Sequence, residues 1–350
     1  MRNLLKFVLY FVIIIIVIFL LFLLYASVTD YKPDDIISVS TNPEAEKIAE
    51  WTEYDLMIWN IGYCGLDASM DFFYDGGEQV RPSRENVVNN LDAVCELLSS
   101  NDSVEFFLLQ EVDKNSKRSY RINEYDSIAM LLDGYHSYFG QNYNVFFVPL
   151  PPSKPMGKVN SGLQTLSRYQ PSSVDRYSFP GNYGWPMGIF MLDRCFLVSR
   201  YPVSNSRELV IINTHNSAYD DGSLRAGQMR YLKDFLLGEY EKGNYILVGG
   251  DWNQSPFGFP KRFEGQVFDD QNYTEIEENY PAPGWIWTYD GSMPTNRRVA
   301  TIYRRGVTPT TIIDFYLLSP NVLPVQVKTL DLDFRNSDHQ PVLLKILIRE

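Results

Sequence analysis

Tyr245–Asn253, YILVGGDWN, reads as one buried strand whose end carries chemistry. The apolar residues Tyr245 to Val248 lead into two glycines, and Asp251 and Asn253 then bring a carboxylate and an amide to the strand's tip. A short apolar run closed by turn residues is the pattern of a strand covered on both faces. The same pattern recurs at Leu56–Ile61, Phe106–Gln110, Val145–Pro149, Cys195–Val198, Leu209–Asn213, Thr311–Leu318 and Val342–Ile348. Helical periodicity lies between these runs. Arg84–Ser99 places Val87, Leu91, Val94 and Leu98 on one face behind Ser83 as N-cap, and Ser223–Tyr240 does the same with Leu224, Met229, Leu232 and Leu236. The connections are irregular, and VSRYPVSNSREL at 198–209 reads as a hairpin. The pattern therefore predicts an α/β (α+β) chain of two packed mixed β-sheets flanked by helices, not a doubly wound parallel sheet.

With 350 residues, 45% of them hydrophobic, the chain can build one large core. No Pro-, Gly- or Ser-rich break divides 54–348, so residues 51–350 are expected to form a single large domain. The net charge is −12; Arg2 and Lys6 are the only charged side chains in the first 26 residues, so the rest carries −14. An acidic surface repels polyphosphate and argues against tight non-specific DNA binding. It does not exclude a phosphate substrate, because a bound divalent metal reverses the local sign. Cys64, Cys95 and Cys195 are odd in number and widely spaced, which gives neither a disulfide framework nor a zinc signature.

Phe7–Ala26 runs without charge, Pro or Gly. At about 1.5 Å per residue it spans the roughly 30 Å hydrocarbon layer. A cleaved secretory signal has a shorter apolar core and a small-residue cleavage site, for which LLYAS is a poor match. Residues 7–26 are thus expected as a single transmembrane helix. Arg2 and Lys6 place residues 1–6 in the cytoplasm and the domain that follows outside it. Residues 27–50 are expected as a stalk, in which Glu44–Trp51 could form a short helix.

Polar residues interrupt the apolar runs at their ends. LMIWN closes on Asn60, FFLLQE on Gln110 and Glu111, LVIINTH on Asn213 and His215, and YILVGGDWN on Asp251 and Asn253. TIIDFYLL carries Asp314 within the strand, and NSDHQP sets Asp338 and His339 before the last strand. Singly, most of these have ordinary explanations as caps or turns. Asp314 is harder to dismiss, because a carboxylate in an apolar strand needs a partner to offset its desolvation. Together they supply oxygen ligands suited to a hard cation such as Mg²⁺, with histidines suited to proton transfer at neutral pH.

In order, WNIG, LLQEVD, SGLQTLSRY, IINTHNS, GGDWN, IIDFYLLS and SDHQP resemble the endonuclease/exonuclease/phosphatase superfamily over roughly 54–348. That resemblance implies a four-layered sandwich with Mg²⁺, or alternatively Mn²⁺, held by Glu111 with Asn60 and with Asp338 in or beside the metal shell. It implies that Asp251 and Asn253 orient the attacking water and the phosphate, and that His339 works with Asp314 as its orienting carboxylate. His215 and, more weakly, Arg194 match phosphate-contacting positions. The expected activity is hydrolysis of a phosphoester by a membrane-anchored, metal-dependent phosphodiesterase or phosphatase acting on a small or lipid-borne substrate. One alternative is an extracytoplasmic nuclease, if Arg297, Arg298, Arg304 and Arg305 form a basic strip. Another is a non-catalytic binding module on the same fold. No protein partner is expected.

Overall fold

The computed structural model describes residues 1–218, 222–270 and 273–349. Its first elements are α1 (Arg2–Val28), β1 (Ile36–Thr41), β2 (Glu53–Asn60), α2 (Arg84–Ser100), β3 (Phe106–Asp113) and α3 (Glu124–Leu131). The middle of the chain forms β4 (His136–Val148), β5 (Gly157–Ser167), β6 (Ser173–Ser178), β7 (Cys195–Pro202), β8 (Glu208–His215) and α4 (Ser223–Glu241). It continues with β9 (Tyr245–Asp251), β10 (Val267–Phe268), β11 (Ile286–Thr288) and β12 (Asn296–Arg297). The last strands are β13 (Pro309–Thr311), β14 (Asp314–Leu318), β15 (Val322–Thr329) and β16 (Val342–Ile348).

Two mixed sheets lie face to face. One has seven strands in the order β1-β6-β7-β8-β9-β14-β11, the other six in the order β15-β16-β2-β3-β5-β4. The pairs β8/β9 and β2/β3 are parallel, and the remaining pairs in both sheets are antiparallel. β9 shows why the strands are apolar on both faces. Tyr245 and Leu247 enter the core between the sheets with Ile58, Phe106, Leu108 and Leu344. Ile246 and Val248 enter a second core with Leu232 and Leu236 of α4. On the far side, Val87, Val94 and Leu98 of α2 pack with Met57, Phe107 and Leu109. The result is the expected four-layered helix–sheet–sheet–helix sandwich.

Gly249 lets the sheets approach, because a Cβ there would lie 2.7 Å from the Ile58 Cγ2. Gly250 adopts φ +145°, and a Cβ on it would meet the Thr214 carbonyl oxygen at 2.1 Å. Two polar residues expected at strand ends also join the sheets. Gln110 Nε2 donates to Asn213 Oδ1 at 2.8 Å, and Asn213 Nδ2 donates to the carbonyls of Leu109 and Gln164, each at 3.1 Å.

α1 is long and apolar enough to cross a membrane. The segment after it departs from a free stalk. Ile36–Thr41 pairs antiparallel with β6 as the sheet's edge strand, and Ile48 is buried in the core between the sheets. Glu44–Trp51 is irregular, with Ile48 bridging to Val203 instead of forming a helical turn. The alternation in ISVST (37–41) satisfies an edge strand, but it is too short and polar to stand out from a linker. Likewise, the aromatic-rich stretch 169–185, which has no strand signature in sequence, contains β6.

The core account is tested by Leu247→Ala, which should lower stability by about 3 kcal/mol through lost burial and a residual cavity. Val325→Ala, on the exposed outer edge strand, should change it by about 0.5 kcal/mol or less. Denaturant midpoints measure both, and equal effects would contradict the assigned core.

Candidate active site

The polar strand ends converge on one mouth of the sandwich. β2 and β3 are paired in parallel, so Asn60 and Gln110 end in register, while antiparallel β9 and β14 set Asp251 opposite Asp314. The parallel β8/β9 pair sets His215 beside Asp251. The loop before β16 then brings Asp338 and His339 over the same edge. A cleft of about 550 Å³ opens there, lined among others by Glu111, Arg194, His215, Asp251, Asn253 and His339.

At its centre, His339 Nδ1 lies 2.8 Å from Asp314 Oδ2 and 3.0 Å from Oδ1. Asp314 is 1% exposed, so the imidazole is the partner its burial requires. The backbone N–H of Asp314 donates to Thr295 Oγ1 at 3.0 Å, which fixes the strand carrying the carboxylate. The opposite ring nitrogen, Nε2, faces the cleft and lies 3.0 Å from Asn296 Nδ2, 3.8 Å from Asp251 Oδ2 and 3.9 Å from Asp338 Oδ2. Trp59 Nε1 donates to the His339 carbonyl at 3.0 Å, and the His339 N–H donates to Ser337 Oγ at 3.1 Å. Ring and backbone are therefore both fixed.

Asp251 is held at both oxygens. The Asn253 N–H donates to Oδ1 at 2.9 Å, and Asn60 Nδ2 donates to Oδ2 at 3.0 Å. His215 Nε2 stands 3.4 Å from the same Oδ2 and 4.0 Å from Glu111 Oε1. Asn60 Nδ2 also donates to Glu111 Oε1 at 3.3 Å, while its Oδ1 accepts from the Gly62 N–H at 3.0 Å. Asn253, at φ 50°, donates its side-chain amide to the Asn216 carbonyl at 2.9 Å. Glu111 also has a positive φ, 55°, where the strand register with β5 shifts. This kink carries its carboxylate out of the core, and its side chain is 24% exposed.

Packing these acids together sets their proton affinities. Burial pushes Asp338 up to about 7 and Asp251 up to about 6, with the His339 charge opposing both shifts. Burial alone would lower the His339 pKa, but Asp314, Asp338 and Asp251 hold it well above the ordinary histidine value. His215 goes the other way: burial first, then Arg194 and His339, keep it neutral well below that value.

The donor set fits a hard divalent cation. Glu111, Asp251 and Asp338 offer carboxylate oxygens in one cleft, and burial there raises the proton affinity of Asp251 and Asp338. Asp251, Asp314 and His339 also present ligand-type atoms within 4.8 Å of one another, although His339 Nδ1 already engages both oxygens of Asp314. Asn60 turns its amide nitrogen, not its oxygen, toward the carboxylates.

Several site residues lie in segments without a strand or helix signature. Asn296 sits on the two-residue strand β12 within TNRR, and Tyr63 follows β2 at φ 43°. Arg118 lies over the Tyr63 ring at 3.7 Å and is paired with Asp113 at 3.0 Å. Both Tyr63 and Arg118 line the cleft.

The chain has only three histidines, so their ring resonances resolve individually. In metal-free protein, His339 should stay protonated above pH 7 while His215 stays neutral. Asp314→Asn should shift the His339 titration to lower pH and leave His215 neutral. A His339 that titrates at the ordinary value in the wild type would contradict the ion-pair assignment.

The family described as "Endonuclease/Exonuclease/phosphatase family" matches residues 57–339. No curated protein matches the chain by sequence. Among solved structures, an endonuclease/exonuclease/phosphatase from Beutenbergia cavernae DSM 12333 is 18% identical with a TM-score of 0.53, over 85% of this chain and 72% of that one. D. rerio TDP2 complexed with single-strand DNA product is 12% identical with a TM-score of 0.53, over 84% and 99%. The human Nocturnin catalytic domain with bound sulfate is 14% identical with a TM-score of 0.52, over 90% and 97%. At such identities the likeness is one of fold. The match over residues 57–339 places this chain in the endonuclease/exonuclease/phosphatase family.

Proposed function

We propose that the chain is a Mg²⁺-dependent phosphoester hydrolase, anchored by α1 with its catalytic domain outside the cytoplasm. The observation that carries this reading is the His339–Asp314 pair facing Asp251, Asp338 and Glu111 across one cleft. It combines a fixed proton carrier with a cluster of hard oxygen donors.

Glu111 and Asp338 would hold the cation. Asn60, whose N–H group faces Glu111 and Asp251, acts in this structure by steadying those carboxylates. When bound, the cation supplies charge neutralisation of the phosphate and stabilises charge on the reacting oxygens. Asp314 fixes one tautomer of His339 and stabilises its imidazolium, leaving Nε2 toward the cleft to hold or deliver a proton. Asp251, locked by Asn60 and Asn253, is placed to orient water and draw off its proton. His215, kept neutral, and Arg194 at the cleft wall are the phosphate-facing donors.

A nuclease reading draws less support from the proposed basic strip. Arg297 is 1% exposed and donates to the Asp67 carbonyl at 2.6 Å. Arg298 engages Asp269 at 2.5 Å, and Arg305 engages Asp331 and Asp333 at 2.7 and 2.9 Å. With Arg298 and Arg305 paired to acids and Arg297 buried, the four arginines offer little exposed positive charge to replace counterions along a polyanion. A non-catalytic module fits poorly too, because a structural role alone does not account for so costly a burial of carboxylates around a histidine.

The full chain should hydrolyse members of a panel of phosphomonoesters and phosphodiesters with Mg²⁺ and lose that activity in EDTA. His339→Ala should lower kcat by about 10² to 10⁴, and Glu111→Ala should abolish the Mg²⁺ response. Metal-independent turnover, or full activity in His339→Ala, would contradict the assignment.

A further inference from the structure

The end of α1 is built into the wall of the cleft. Most of α1 is bare, but Leu23 and Ala26 are 8% and 2% exposed and pack against Ile189 with Phe22, Phe146 and Phe190. The Phe22 ring stacks on Phe190 at 5.9 Å and lies 5.8 Å from Phe146, while Tyr25 meets Phe146 edge-on at 5.0 Å. Trp185 Nε1 donates to Ser27 Oγ at 3.1 Å. Phe190 also packs against a second cluster containing Tyr143, Met156 and Leu192, all three of which line the cleft. Tyr143 OH donates to the Phe190 carbonyl at 3.0 Å, so one residue touches both the helix and the cleft wall.

The surface around this junction has the make-up of a bilayer contact. Trp185 is 69% exposed and Met187 50%, and Leu150, 40% exposed, closely precedes the exposed Lys154 in sequence. Exposed apolar side chains with an aromatic and a lysine, next to the last turn of a spanning helix, match the residues that settle at a membrane–water interface. Their continuity with α1 names the occupant: a helix that crosses a bilayer brings its own rim onto the surface of that bilayer.

Resting on the anchor and hydrolase readings above, we infer that the rim of Leu150, Trp185 and Met187 seats on the bilayer, and that the cleft draws its phosphoester from lipid headgroups of that membrane. Tethering raises the effective concentration of headgroups at the cleft, but the docked rim does more by fixing which side of the domain meets them.

The test uses the full chain with Cys95→Ala, whose remaining Cys64 and Cys195 are buried, reconstituted in phosphatidylcholine vesicles and labelled with an environment-sensitive fluorophore at one introduced cysteine. Met187→Cys and Leu150→Cys should show blue-shifted emission quenched by spin-labelled lipid. Val325→Cys should show neither, because it lies on β15, at the opposite edge of its sheet from β4. Ile14→Cys reports the anchor itself. Quenching at Ile14 without quenching at Met187 and Leu150 overturns the docked rim. No quenching at Ile14 overturns the anchor and the inference with it.

In the same vesicles with Mg²⁺, phosphatidic acid, phosphatidylglycerol and phosphatidylinositol are compared with their deacylated, water-soluble counterparts at equal bulk phosphate. At least one lipid should be hydrolysed severalfold faster than its soluble counterpart, and Trp185→Ala with Met187→Ala should reduce only the lipid rate. Equal rates, or faster turnover of soluble esters alone, overturn the lipid assignment. Hydrolysis of neither form in any pair overturns it as well, and activity on the wider soluble panel then separates this from failure of the hydrolase reading.

Discussion

The rest of the site depends on the ion pair between His339 and Asp314, 2.8 Å apart and almost fully buried. A lone carboxylate in an apolar strand would be driven to protonate. The imidazole of His339 is the partner that the burial of Asp314 requires, and the histidine keeps its other nitrogen toward the cleft. The positive charge of His339 tempers Asp251 and Asp338, which burial pushes up to about 6 and about 7. The cluster is thus short of positive charge near neutral pH, a shortage that a divalent cation would relieve.

Only this architecture gathers those groups. Their positions span 60 to 339, yet each stands at or beside the end of a central strand or in the loop leading to one. Face-to-face sheets bring the strand ends of both to one edge, and Gly249 allows the close approach there. Gln110 and Asn213 look, in sequence, like further members of the site. They instead cross-link the sheets immediately beneath it.

The parts legible in sequence were those with a local signature. Short apolar runs gave the strands, Ser83 and its periodicity gave α2 with Asn86 N–H donating to Ser83 Oγ, and the charge-free N-terminal run gave α1. Segments that take structure only from their neighbours were not legible. Ile36–Thr41 is a strand because β6 offers it an edge, and Asn296 reaches His339 from a strand two residues long. The apolar rim was hidden for the same reason, since Phe22 lies within the uniform hydrophobicity of α1 and only the fold reveals its partner, Phe190.

We hold that this buried acid–imidazole cluster is a cation site that serves phosphoester hydrolysis. Titration calorimetry of Mg²⁺ into the full chain near pH 7, repeated in buffers of different ionisation enthalpy, tests it most directly. Binding is expected to release protons from Asp338 and Asp251, where burial retains them, and from His339, where the neighbouring carboxylates do. That release should disappear in Glu111→Ala. Absence of Mg²⁺ binding, or binding with no proton released, would contradict it.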